Sequence, residues 1–215
     1  MNKCALGAVV VAIGTMSSRL LGQSIPEARF TRIGVGVTAG LSSFGSGDKS
    51  VQQRTSRSTS GASGIVVDHM VNGRAGIRAA AQFSSRDAEV ENLFVVPAVL
   101  RLRTFDVLVG GSWSIARRGS LVARLAGDVG FARVLAIDVL SADRRADQGE
   151  LQARSSELSL IPGVELLMER PVSVLLSVAY RRGVTDVTRP NEFTARSLEA
   201  RVVVFALKRR HGTRS

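Results

Sequence analysis

The chain has 215 residues, 45% of them hydrophobic and 22% charged, a balance that fits one folded domain and excludes a disordered or fibrous chain. A formal charge of +11, carried mainly by arginine, makes nucleic acid, anionic lipid or lipopolysaccharide phosphate the partners to weigh. The single cysteine, Cys4, lies in a segment expected to be removed, which excludes disulfides and cysteine metal sites from the mature chain.

The first residues read as an address. Met1, Asn2 and Lys3 give a positive start, residues 5–16 are mostly apolar, and Leu20-Leu21-Gly22-Gln23-Ser24 ends in small residues suited to signal peptidase. We expect residues 1–24 to be a signal peptide cleaved after Ser24, with Arg19 an untidy feature and a buried N-terminal helix the alternative. The apolar stretch falls short of the roughly 20 residues of a spanning helix. No cysteine stands at the cleavage point, so a lipoprotein anchor is not expected.

Residues 25–215 then break into eight segments with apolar side chains on every second position, the period of a strand with two unlike faces. In the first, Ile33, Val35, Val37, Ala39 and Leu41 oppose Gly34, Gly36, Thr38 and Gly40. The second sets Ile77, Ala79, Ala81 and Phe83 against Gly76, Arg78, Ala80 and Gln82. A less regular third covers 93–101, and the fourth sets Phe105, Val107, Val109, Trp113 and Ile115 against Asp106, Ser112 and Ser114. In the fifth, Leu121, Ala123, Leu125, Val129 and Phe131 oppose Arg124, Ala126, Asp128 and Gly130. The sixth sets Leu158, Leu160, Val164 and Leu166 against Ser159, Gly163 and Glu165. The greasy rows of the last two, from Val172 to Tyr180 and from Leu198 to Val204, oppose Ser173, Ser177, Arg181, Glu199 and Arg201. Pro97 and Pro162 lack a backbone donor and should mark bulges or strand ends.

The connections alternate in length. Long polar stretches at 44–72, 137–155 and 185–194 read as outer loops, Arg117-Arg118-Gly119 and Glu169-Arg170 as tight turns, and a connection near Thr104 is short for an outer loop. The pattern predicts an all-β fold: an eight-stranded antiparallel up-and-down transmembrane β-barrel with a basic C-terminal tail. With the apolar rows facing lipid, the opposite rows meet in the lumen as a charge network of Arg78, Arg101, Asp106, Arg124, Asp128, Glu165, Arg181, Glu199 and Arg201. A mid-membrane Arg or Lys facing hydrocarbon costs about 2–4 kcal/mol, whereas a lumen offers partners.

The same alternation also fits a soluble periplasmic barrel that turns its apolar rows inward and binds a small ligand. Trp113 and Tyr180 are the only residues of their kinds, a thin supply for the aromatic girdles of a membrane barrel.

Little chemistry is on offer. His69 and His211 are the only histidines, so no multi-histidine metal site is expected. A lipid-modifying enzyme would have to use His69 with Asp68 and a loop serine, without a serine-centred motif. Gly34, Gly36 and Gly40 lack the following helix of a nucleotide fingerprint and read as small lumen-facing residues. Lys208, Arg209, Arg210 and Arg214 lack interleaved aromatics for a nucleic-acid arm.

Three stretches resemble a small outer-membrane β-barrel family that includes the PorT-like and OmpX-like proteins of Gram-negative bacteria. They are Ile33-Gly34-Val35-Gly36-Val37-Thr38-Ala39-Gly40, Val96-Pro97-Ala98-Val99-Leu100-Arg101 and Tyr180-Arg181-Arg182-Gly183-Val184-Thr185-Asp186-Val187. The resemblance implies an eight-stranded barrel in the outer membrane without known enzymatic activity, and it brings no functional residues. One departure is that Phe205 is followed by a basic tail, where such barrels commonly end on an aromatic residue. The expected protein is therefore a monomeric, porin-like outer-membrane barrel with a side-chain-filled lumen. It acts structurally or through its outer loops, with outer-membrane lipid and lipopolysaccharide as partners, and without cofactor, metal, nucleic acid or catalytic site.

Overall fold

The computed structural model describes residues 29–46, 55–56, 58–90, 98–141, 152–153, 156–169, 172–185, 188–189 and 193–210. The segment 1–24 expected as a signal peptide, Pro97, His211 and Arg214 lie outside these residues. Eight long strands carry the fold: β1 Phe30–Ser46, β2 Ser58–Met70, β3 Ala75–Val90, β4 Ala98–Arg118, β5 Leu121–Ser141, β6 Ser156–Met168, β7 Ser173–Gly183 and β8 Phe193–Arg210. Each pairs antiparallel with the next in sequence. β1 pairs with β8 from Phe30↔Arg210 to Ser46↔Phe193, so the wall closes and each of the eight has a neighbour on both sides.

Connections alternate between two ends. Residues 71–74, 119–120 and 169–172 make the short end, and 47–57, 91–97, 142–155 and 184–192 join strands at the other. The short turns follow from local chemistry. Asn72 Oδ1 accepts hydrogen bonds from the backbone N–H groups of Arg74 (2.8 Å) and Ala75 (2.6 Å), an Asx-type turn. Gly119 takes φ +58°, a left-handed conformation that a side chain resists. At the long end two short pairings appear, Thr55–Ser56 with Glu89 and Val90, and Gln152–Ala153 with Thr188 and Arg189.

The eight-stranded antiparallel barrel is the predicted fold, but two strands lie elsewhere than the sequence pattern put them. β2 occupies part of the stretch read as the first outer loop. Its outward side chains at Thr59, Gly61 and Ser63 are small, so alternation leaves no hydrophobic trace until Ile65. Conversely, 98–101 and 105–115 are not separate strands, and 93–97 lie outside the described residues. β4 runs through Thr104 without a connection, and the irregularity there is a bulge that skips Leu135 on β5. β8 continues to Arg210, so Lys208, Arg209 and Arg210 belong to the last strand and not to a tail. Pro162 sits inside β6, where the ladder to β7 lapses between Leu160↔Arg182 and Gly163↔Ala179, as its missing N–H requires.

Candidate functional site

Polarity is inverted relative to a water-soluble protein. Val35, Val109 and Phe131 are 63%, 54% and 54% exposed, and similar outward rows run along β1 and β3 to β8. The rows from Ile33 to Leu41, Leu158 to Leu166 and Val172 to Tyr180 match the 9–11 residues with which a tilted strand crosses a bilayer. This geometry excludes the soluble alternative, in which the apolar rows would meet at the centre.

The centre is instead charged. Among the described residues six buried arginines, Arg32, Arg78, Arg86, Arg124, Arg181 and Arg201, face six buried carboxylates, Asp68, Asp106, Asp128, Glu157, Glu165 and Glu199. Among the described residues the buried charges of the lumen therefore balance. Eight of the nine residues expected in the lumen network are there: Arg78, Asp106, Arg124, Asp128, Glu165, Arg181, Glu199 and Arg201.

Arg101 is the exception and corrects the sequence reading. Even positions of β4 point inward, so Leu102 is buried at 2% while Arg101 emerges outside and binds Asp87 at 2.8 Å. Near the long end the outside no longer meets hydrocarbon, and an outward arginine costs little there. Arg32, Asp68, Arg86 and Glu157 were not foreseen. Arg32, Arg86 and Glu157 flank the recognisable alternations, and Asp68 lies in the unrecognised β2.

The ion pairs cross the lumen more often than they follow the wall. Arg32 (β1) donates to Asp68 (β2) at 2.6 Å, and Asp68 also takes Arg124 from β5 at 3.2 Å. Arg124 Nη1 lies 3.8 Å from Glu165, its register partner on β6, and Glu165 binds Arg78 on β3 at 2.5 Å. Asp128 lies 3.8 Å from Arg78 and 3.9 Å from Arg201 on β8. Nearer the long end Arg181 (β7) reaches Asp106 (β4) at 2.7 Å, and Arg86 (β3) grips Glu157 (β6) through both guanidinium nitrogens at 3.1 and 2.5 Å.

Asp106 is further held by Gln82, Ser84 and Thr104. At the short end Glu169 joins Arg117 (2.8 Å) to Arg32 (3.2 Å), whose guanidinium lies 4.7 Å from the centre of the Phe30 ring and 5.2 Å from that of Phe205. Val66, Ala80, Leu108, Ile161 and Val203 fill the space between these charges, and a Cβ on Gly36 would meet Val203 at 3.2 Å and Val66 at 3.4 Å. The glycines of β1 thus leave room for packing inside a narrow barrel.

Asp68 and His69 do not form a catalytic pair. Successive strand residues point to opposite faces; Asp68 is sealed at 0% exposure between two arginines, and His69 Nδ1 lies 2.9 Å from Thr31 Oγ1. No group of three or more His, Cys, Asp or Glu suited to a metal ion occurs among the described residues.

No family model and no curated protein matches the sequence. Among solved structures, the outer membrane protein OprG of Pseudomonas aeruginosa is similar at a TM-score of 0.55 and 13% identity, covering 87% of this chain and 98% of that one. Neisserial surface protein A gives a TM-score of 0.47 at 13% identity over 80% and 96% of the two chains. Closed wall, inverted polarity and the likeness to OprG together give this chain the fold of a small outer-membrane β-barrel.

Proposed function

We propose that the chain is a monomeric outer-membrane barrel whose lumen is an electrostatic plug, and that it serves the envelope structurally or through its outer loops and rim. The observation that carries this reading is the neutral set of six arginines and six carboxylates tied across the lumen inside an apolar wall. Side chains linked from opposite walls occupy the path that an ion would need. The leader-like start supports export, and the narrower kinship with PorT-like and OmpX-like proteins rests on the three sequence stretches. A non-enzymatic role is supported by the separation of Asp68 from His69 by the wall itself.

Two measurements test the proposal. In cell fractionation the protein should sediment with outer membranes and migrate on gels differently before and after boiling. In planar bilayers it should give no wide, stable conductance; a steady channel of porin size would end the plug reading while leaving the membrane assignment intact.

A further inference from the structure

Arg182 and Arg196 are register partners on β7 and β8, and both are exposed on the outer face. Directly opposed residues hold their Cβ atoms about 4.5–5.5 Å apart, and like charges so placed repel. On the outer face of β4 two arginines are each answered by a carboxylate, Asp87 for Arg101 and Asp138 for Arg103. Arg182 and Arg196 are not. Flanking the pair in register are Ser43 on β1 and Leu160 on β6, with Tyr180 and Leu198 below and Val184 above. Among the described residues no carboxylate meets either guanidinium.

Position narrows what could. Tyr180↔Leu198, the next outward pair toward the short end, belongs to the apolar rows, so the arginines emerge at the edge of the hydrocarbon, where headgroups lie. Arginine binds phosphate through paired N–H groups, and a phosphomonoester carries about −1.5 to −2 charges at neutral pH. Two adjacent guanidinium groups match that charge; a phosphodiester, with a single negative charge, leaves one of them uncompensated.

We propose that Arg182 and Arg196 form a two-pronged site for the phosphomonoester of an outer-leaflet lipid headgroup, with Tyr180 and Leu198 against its acyl chains. The site rests on the membrane reading above and names the lipid chemistry that the rim selects.

The test folds the full chain into phosphatidylcholine vesicles containing diphosphoryl lipid A, dephosphorylated lipid A, phosphatidylglycerol or no addition, and follows the melting midpoint by heat-dependent gel mobility and retained lipid by native mass spectrometry. Diphosphoryl lipid A should raise the wild-type midpoint and remain bound. The double variant R182Q/R196Q should lose that rise and retain the lipid about tenfold less, the equivalent of one charge-assisted hydrogen bond. In plain phosphatidylcholine the same variant should melt no lower than the wild type, because a repulsive contact has been removed. Arg103→Gln, which breaks a paired arginine instead, should keep the lipid A response.

A rise that survives in R182Q/R196Q, or that dephosphorylated lipid A also produces, overturns the site. An equal rise with phosphatidylglycerol overturns the choice of a monoester. A chain that never acquires heat-dependent mobility in any vesicle overturns the membrane reading itself, a result distinct from a folded barrel indifferent to phosphate.

Discussion

Asp68 illustrates what a single lumen residue holds. It accepts from Arg32 and Arg124 on strands four positions apart around the wall, with both arginines buried. Removing one partner of a buried ion pair strands the other charge without water, at about 3–5 kcal/mol. Asp68→Ala should therefore lower the unfolding midpoint in urea sharply, whereas Asp87→Ala, which frees the half-exposed Arg101, should barely move it. Burial also separates the residues that sequence could place from those it could not. Arg124 and Asp128 stand inside a long, regular alternation and announce their face; Arg101 stands between two leucines, and only the β4 backbone shows that Leu102 turns inward and Arg101 outward.

At the scale of the strand, what matters is which solvent each row meets. Val129→Arg, in the middle of the outward row of β5, should cost about 2–4 kcal/mol when folding into vesicles is measured against urea, because its outer environment is hydrocarbon. Gly119→Ala should slow or weaken closure of the β4–β5 hairpin by about 1–2 kcal/mol, since a left-handed residue acquires a Cβ. Strands rich in Val, Leu and Ile were legible from period alone. β2 was not: its upper half exposes hydroxyl groups and glycine, and a strand whose two faces are equally small is indistinguishable in sequence from a loop. The 98–101 and 105–115 stretches show the converse failure: both belong to β4, whose inward row mixes Leu102 and Leu108 with Thr104 and Asp106, so no single face stays apolar along the strand.

For the whole molecule, two populations of charge respond differently to salt. The lumen pairs are shielded by the wall, while Arg103–Asp138 and the exposed rim arginines meet solvent or headgroups. Raising salt to about 1 M, where the screening length falls to about 3 Å, should leave the melting midpoint of the barrel nearly unchanged and reduce its response to phosphorylated lipid. Antiparallel order and inverted polarity were readable in advance, because they follow from repeated local patterns; the count of eight agrees with the structure because the overlooked β2 and the divided β4 offset each other. The partners across the lumen were not, since a pair such as Arg181–Asp106 joins residues far apart in the chain, and register around the full circumference decides who meets whom. The seam between β1 and β8 sets the order of assembly. The earliest strand finds its second neighbour only in the last one, so every truncated intermediate carries two raw borders in search of hydrogen bonds. Biogenesis must therefore shelter an unfinished ribbon until the 18 residues of its last strand arrive, and premature release should yield oligomers stitched border to border instead of partial monomers.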